Sequence, residues 1–209
     1  NNFIQNSVTV VMPIHKWKGY VIRALRSIRI QGNIVKNIVL IDNALSSNKI
    51  RDYILKKFSN IIYINSPYKE AADVARNIGI NKASSDYIAV LDSDDMYLEN
   101  HLESQVNFLL ENNLDLVYSG YIDIDLIGKK KMIIPKNNIS LDLFTYIAYP
   151  EIGHSTVVFK KNKFPGYPEI GVRHDYAAWI SSLAIGLKFG CISNVGALRF
   201  QTENSLSSL

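Results

Sequence analysis

Apolar positions in the first half of the chain follow two patterns that take turns. Residues 7–12, 37–41, 61–64 and 87–91 are short apolar runs without a polar face. Such runs read as strands buried on both sides of a sheet. Between them, residues 19–30, 49–58, 70–82 and 97–110 carry apolar residues at helical spacing. In the first of these, Val21, Ile22, Leu25 and Ile28 form the stripe, with Arg23 and Arg26 opposite. Pro13 is expected to close the first strand. The order β-α-β-α-β-α-β-α predicts an α/β fold with a mostly parallel sheet and right-handed crossovers.

The second half changes pattern. Residues 117–126 alternate, Gly128-Lys129 turns the chain, and residues 132–134 are placed to pair back as a hairpin. Residues 141–148 read as a helix, 155–159 as a strand, 176–187 as a helix and 194–200 as a last strand. There is no repeat, linker or low-complexity tract. Residues 1–209 therefore read as one domain, with a binding half to about residue 112 and a smaller β/α half from about 113.

Composition narrows the classes. Hydrophobic residues are 47% and charged residues 20%, as in ordinary globular domains. No apolar run approaches the roughly 18 residues of a membrane span. One cysteine, Cys191, excludes an internal disulfide and fits a reducing compartment. The net charge of +4 is mild, and no aromatic-basic interleaving suggests nucleic acid. The groups Arg23/Arg26/Arg29, Lys129-Lys130-Lys131 and Lys160-Lys161-Lys163 read as solvated surface, or as contacts to an anionic membrane face or a phosphate-bearing acceptor. The chain does not open on Met, and a longer parent protein is left open.

The most informative chemistry is Leu91-Asp92-Ser93-Asp94-Asp95, directly after the fourth buried strand. Open α/β sheets bind ligands at that edge. Carboxylates two residues apart can serve one divalent cation and the diphosphate it carries. They also suit a turn and a helix N-cap. Asp42-Asn43 ends the second strand, hence on the same edge. Asp123 and Asp125 repeat the Asp-x-Asp spacing, but lie on one face of an alternating strand and read as a solvated face. No Gly-x-Gly-x-x-Gly or Walker loop follows Met12; Pro13-Ile14-His15-Lys16 stands there.

Five segments in order carry a family resemblance: Val8-Thr9-Val10-Val11-Met12-Pro13, Ile38-Val39-Leu40-Ile41-Asp42-Asn43-Ala44, Ala75-Arg76-Asn77-Ile78-Gly79, the strand ending in Asp92 to Asp95, and His174-Asp175-Tyr176 with Trp179. Together they resemble the inverting, nucleotide-sugar-dependent glycosyltransferases of GT-A fold, in the large family 2 that includes many bacterial polysaccharide and lipopolysaccharide enzymes. The resemblance runs from residue 8 to about 208. It implies a Rossmann-like central sheet flanked by helices, with a small acceptor-side half. It also implies transfer from a nucleotide-sugar donor, UDP-linked, to a hydroxyl of a glycan or lipid-linked acceptor. The setting implied is cytoplasmic, with peripheral attachment to the inner membrane face allowed.

Residue roles follow from the same resemblance. Pro13, Asp42, Asn43, Arg76, Asn77, Gly79, Asp92, Ser93 and Arg199 are implied on the donor side. Asp42 would hold the base or ribose; otherwise it forms a turn. Asp94 would bind Mn²⁺ or Mg²⁺. Asp175 would be the catalytic base, or else the helix cap. His154, His174 and Trp179 are acceptor-side candidates, Trp179 more naturally core. Two departures stand out. Asn43 replaces a second Asp, and Gln201 stands where relatives carry a His that serves the metal or diphosphate. An amide oxygen is the weaker, harder ligand. These departures motivate the alternative of a non-catalytic nucleotide-sugar-binding module.

Overall fold

A computed structural model describes residues 6–44, 47–66, 71–135 and 140–202. The implied start of the third helix at Glu70 and the segment 204–208 lie outside the described residues.

The first half alternates as its pattern predicts. Strands β1 (Val8–Ile14), β2 (Val35–Asp42), β3 (Ile61–Asn65) and β4 (Tyr87–Val90) are separated by helices α1 (Gly19–Arg29), α2 (Asn48–Lys57) and α3 (Ala72–Lys82). The four strands are parallel in the order β3-β2-β1-β4. Side-chain alternation divides the core. Val8, Val10 and Met12 pack on the face covered by Val21, Leu25 and Ile28 of α1, while Val11, Val39 and Ile41 pack on the other with Ala75 and Ile80 of α3. Each fully buried aliphatic contributes about 1.5–3 kcal/mol relative to exposure. Truncating Leu25 to Ala would cost about 2–5 kcal/mol.

Among the described residues the second half completes a nine-stranded sheet. It adds β5 (Met96–Tyr97), α4 (His101–Glu111), β6 (Leu116–Ile124), β7 (Lys130–Ile133), α5 (Leu143–Ala148), β8 (Val158–Lys160), α6 (His174–Ala184) and β9 (Phe189–Phe200). Beyond β4 the order is β8-β6-β9-β5, with β7 paired to β6. β8 runs antiparallel to β4 and β6, whereas β6 and β9 are parallel.

Several boundaries differ from the sequence reading, three of them for a clear tertiary reason. β1 continues through Pro13, because pairing with β4 ends at Val11 and only β2 flanks the strand there. Tyr97 is strand rather than helix. It pairs with Ala197, its hydroxyl donates to the Val90 carbonyl at 2.7 Å, and Asn100 at φ 58° delays α4. β9 starts at Phe189, because Ser193 and Asn194 fall in a register irregularity instead of ending the strand. Residues 154–156 form a 3-10 turn before β8.

Candidate active site

A cavity of about 720 Å³ opens where strand order reverses, between the ends of β1 and β4. That is the ligand edge of an open α/β sheet. Its wall includes Pro13, Arg76, Asp92, Ser93, Asp94, Asp95, His154, His174, Asp175, Arg199 and Gln201. Residues far apart in sequence, from both halves of the chain, thus meet in one space.

The acidic run is a turn closed by the Asp95 N–H donating to the Asp92 carbonyl at 3.0 Å. Its three carboxylates occupy three different environments. Asp92 meets the guanidinium of Arg76. Burial alone would raise the Asp92 pKa, but Arg76, His154 and His174 hold it below the usual carboxylate range. Asp95 is buried and accepts from the Ser155 hydroxyl at 2.5 Å and the Phe200 N–H at 3.0 Å. Burial, with Asp92 and Asp94 nearby, pushes its pKa well up. Asp95 therefore ties the turn to the 3-10 segment and to β9, a role the sequence reading did not assign.

Asp94 forms no ion pair among the described residues and faces the cavity wall. Burial and the neighbouring Asp92 raise its pKa to about 6, against the pull of Arg23 and Thr202. Arg23 donates to the Asp94 carbonyl at 2.7 Å, and its guanidinium lies 3.6 Å from the Phe200 ring centroid.

Helix α3 organises the opposite wall. Arg76 is buried and bridges Asp92 to the His174 ring. On the same helix face, Asp73 accepts from the Ile170 and Gly171 N–H groups at 3.0 and 2.8 Å. Asn77 exchanges two 2.8 Å hydrogen bonds with the Tyr167 backbone. These groups pin residues 167–171, just before α6, whose first turn carries the half-buried Asp175 into the cavity wall. Asp73 escaped the sequence reading; its signal was the i, i+3, i+4 spacing with Arg76 and Asn77.

Arg199 and Gln201 reach the cavity from the end of β9. Arg199 Nε donates to Asp123 Oδ1 at 2.8 Å, and the Gln201 amide donates to Asp123 Oδ2 at 3.0 Å. Asp123 is therefore a partly buried anchor, which corrects its reading as a solvated strand face. His154 also lines the cavity, with its ring packed near Tyr167 and Trp179. Burial, helped by Arg76, lowers its pKa and keeps it neutral.

Several residues implied on the donor side lie elsewhere. Asp42 is fully buried and outside the cavity wall. Its two oxygens accept from Trp17 Nε1 at 3.1 Å, the Ala44 N–H at 2.9 Å and the Tyr63 hydroxyl. Asn43 is buried beside it. Asn77 and Gly79 do not line the cavity either. Any Cβ on Gly79 would stand 2.5 Å from Val11 Cγ1, so this glycine lets α3 press onto the sheet. Trp179 is fully buried core. The cavity also gains His15, Lys16 and Lys18, whose signal was the basic stretch after β1.

Among the described residues no three His, Cys, Asp or Glu side chains converge on a metal position. The donor set at the cavity is instead Asp94, which forms no ion pair among the described residues, with the arginine-paired Asp92; the Gln201 amide lines the same cavity. A small hard cation is commonly held by one or two carboxylates, with substrate phosphates and waters completing its shell. The residues fit that mode, and basic side chains at the rim suit the diphosphate.

The sequence profile described as "Glycosyl transferase family 2" matches residues 9–181. The chain belongs to glycosyl transferase family 2. An uncharacterized glycosyltransferase of Rickettsia bellii is 30% identical over 206 residues, covering 95% of this chain and 29% of the relative. The Escherichia coli UDP-Glc:alpha-D-GlcNAc-diphosphoundecaprenol beta-1,3-glucosyltransferase WfgD is 28% identical over 182 residues, covering 84% of this chain and 69% of the relative. This family 2 chain has the GT-A fold. It superposes on S. aureus TarS in complex with UDP-GlcNAc with a TM-score of 0.81 at 15% identity, covering 97% of this chain and 61% of that one. Among the described residues no helix is long and apolar enough to cross a membrane.

Proposed function

We propose that this chain is a metal-dependent, inverting glycosyltransferase that moves a sugar from a UDP-sugar to a hydroxyl of a lipid-linked or glycan acceptor. The observation that carries this reading is that Asp94, the Arg76–Asp92 pair, Arg199 and Asp175 share one cavity at the sheet's reversal point. The names of the E. coli relative and of the TarS complex support a UDP-linked donor. The E. coli name also supports a lipid diphosphate acceptor in surface polysaccharide synthesis.

Asp175 takes the acceptor hydroxyl's proton as the oxygen bonds to the sugar's anomeric carbon. The bond from that carbon to the diphosphate breaks, and its electron pair leaves with the nucleoside diphosphate. Asp94, with Asp92 and the Gln201 side chain of the same cavity, would hold Mn²⁺ or Mg²⁺, which would neutralise charge on the leaving diphosphate. Arg199 adds a fixed positive charge at the same oxygens, and Asp123 keeps it there. Arg76 holds Asp92 and His174 in place, and so shapes both the donor side and the turn before the base. Asp42 and Asn43 lie one strand away from the cavity wall. Their part in base recognition requires Asp42 to exchange Trp17 or Tyr63 for the nucleobase.

Thermal-shift titration with UDP, GDP and dTDP, with and without Mn²⁺, tests the donor side. A Mn²⁺-dependent rise with UDP is expected, because a ligand bound only by the folded state stabilises it. The base is tested by Asp175→Asn, which should lower turnover about 10²–10⁴-fold while UDP still binds. Wild-type turnover in that variant would remove Asp175 from the mechanism.

A further inference from the structure

The β6–β7 hairpin carries a feature that the reaction does not use. Its tip, residues 125–129, lies beyond the last pairing of β6 with β9, Ile124 with Phe200. The tip is a closed turn. The Asp125 N–H donates to the Lys129 carbonyl at 3.0 Å, and the Gly128 N–H to the Asp125 carbonyl at 3.0 Å. The Asp125 carboxylate folds back onto the N–H groups of Ile127 and Lys129 at 3.0 and 2.8 Å. Gly128 takes φ 83°, a conformation that glycine adopts without strain.

This ordered turn presents Leu126 and Ile127 outward, 64% and 88% exposed. Turns of this kind favour Gly, Asn, Asp and Ser. Two large aliphatic side chains held in water contribute nothing to the fold. Lys129, Lys130 and Lys131 follow at once, all exposed, and then Met132, 62% exposed. Met132 pairs with Ile122 and Lys130 with Ile124, so Met132 and Lys130 share one face of the hairpin.

We infer that this hairpin docks the protein on an anionic lipid bilayer. The aliphatic tip suits the boundary between headgroups and acyl chains, and the three ammonium groups behind it suit the lipid phosphates. An acceptor carried on a lipid gives the contact a purpose, and in that purpose alone the inference rests on the proposed function. Tyr121 lines the cavity and Leu126 stands five residues further along the chain, so the docked tip holds the cavity within about 17 Å of the bilayer surface, from the rise of an extended strand.

Flotation of the full chain with vesicles separates the outcomes. Vesicles of phosphatidylcholine mixed with phosphatidylglycerol should carry the protein, and phosphatidylcholine alone should not. Added salt should weaken the binding. The double substitution Leu126→Asp, Ile127→Asp should abolish it, with melting temperature and UDP-induced shift unchanged. Replacing Lys130 and Lys131 by Gln should weaken it roughly 25-fold, at about fivefold per lysine. No flotation of the wild type, equal binding to both vesicle types, or retained binding by the double aspartate variant would each overturn the inference. The UDP-induced shift is read separately, so loss of the donor reading and loss of the docking reading have different signatures.

Discussion

The chain spells Asp-x-Asp twice, at Asp92/Asp94 and at Asp123/Asp125, and the fold uses the two runs in opposite ways. The first follows a parallel strand buried on both faces and leaves Asp94 at the cavity with no ion pair among the described residues. The second lies on an antiparallel hairpin, where Asp123 is held by Arg199 and Gln201 and Asp125 by its own turn. Their electrostatics diverge accordingly. Burial and Asp92 raise the pKa of Asp94 to about 6. Burial would also raise that of Asp123, but Arg199 and Gln201 lower it. A cavity carboxylate without an ion pair is a candidate ligand, whereas Asp123, tied to Arg199 and Gln201, is scaffolding.

The sharpest test of this contrast is Asp94→Asn. Transfer should fall about 10²–10³-fold, the loss typical of one group that stabilises developing charge. The same variant, free of metal, should be more stable at pH 8 by about 1–3 kcal/mol. The sign follows from the raised folded-state pKa. The favourable contribution is present below the ordinary value of 3.8 and is lost as pH rises through about 6. Removing the charge therefore helps only above that range. A lower melting temperature at pH 8 would mean that Asp94 is a structural carboxylate after all.

Asp123→Ala should act in the opposite direction. Its folded-state pKa is lowered, so its contribution is present above 3.8 and is lost as pH falls. Stability should drop by about 1–2 kcal/mol at neutral pH, discounted because Arg199 is partly exposed. The donor KM should rise roughly tenfold as Arg199 and Gln201 lose their anchor. An unchanged KM, measured on folded variant, would break the link from Asp123 to the donor.

The smallest effect belongs to Asp125→Ala. Its two backbone partners are exposed at the hairpin tip, where water can replace the carboxylate. A loss of about 0.5–1 kcal/mol is expected from chemical denaturation, with no change in turnover on a water-soluble acceptor. A turnover defect in this variant would show that the two acidic runs are not functionally separate.

Much of the fold was legible because burial imposes a period. Apolar runs after residues 7, 37, 61 and 87 marked strands that need both faces covered, and the helical stripes between them marked what covers them. The second half was less legible. Tyr97 left its helical pattern because β9 and Val90 offered it a better partner. Ser193 and Asn194 looked like a break because a bulge tolerates polar residues inside a strand. Within the site, Asp92, Asp94 and Asp175 could be named from strand ends and family resemblance. Asp73, Asp95 and Asp123 could not, since each earns its role from a partner between 76 and 105 residues away.

The sequence by itself therefore determined the alternation of layers, the sheet edge where the cavity opens, and the family. Those depend on local periodicity and on motifs a few residues long. Only the tertiary structure decided which carboxylates stay unpaired. It spent the oxygens of Asp42 on Trp17, Ala44 and Tyr63, paired Asp123 with Arg199, and left Asp94 at the cavity. Whether an acidic side chain is a ligand or a strut depends on the charges and dipoles that long-range packing brings to it, and no local pattern encodes those.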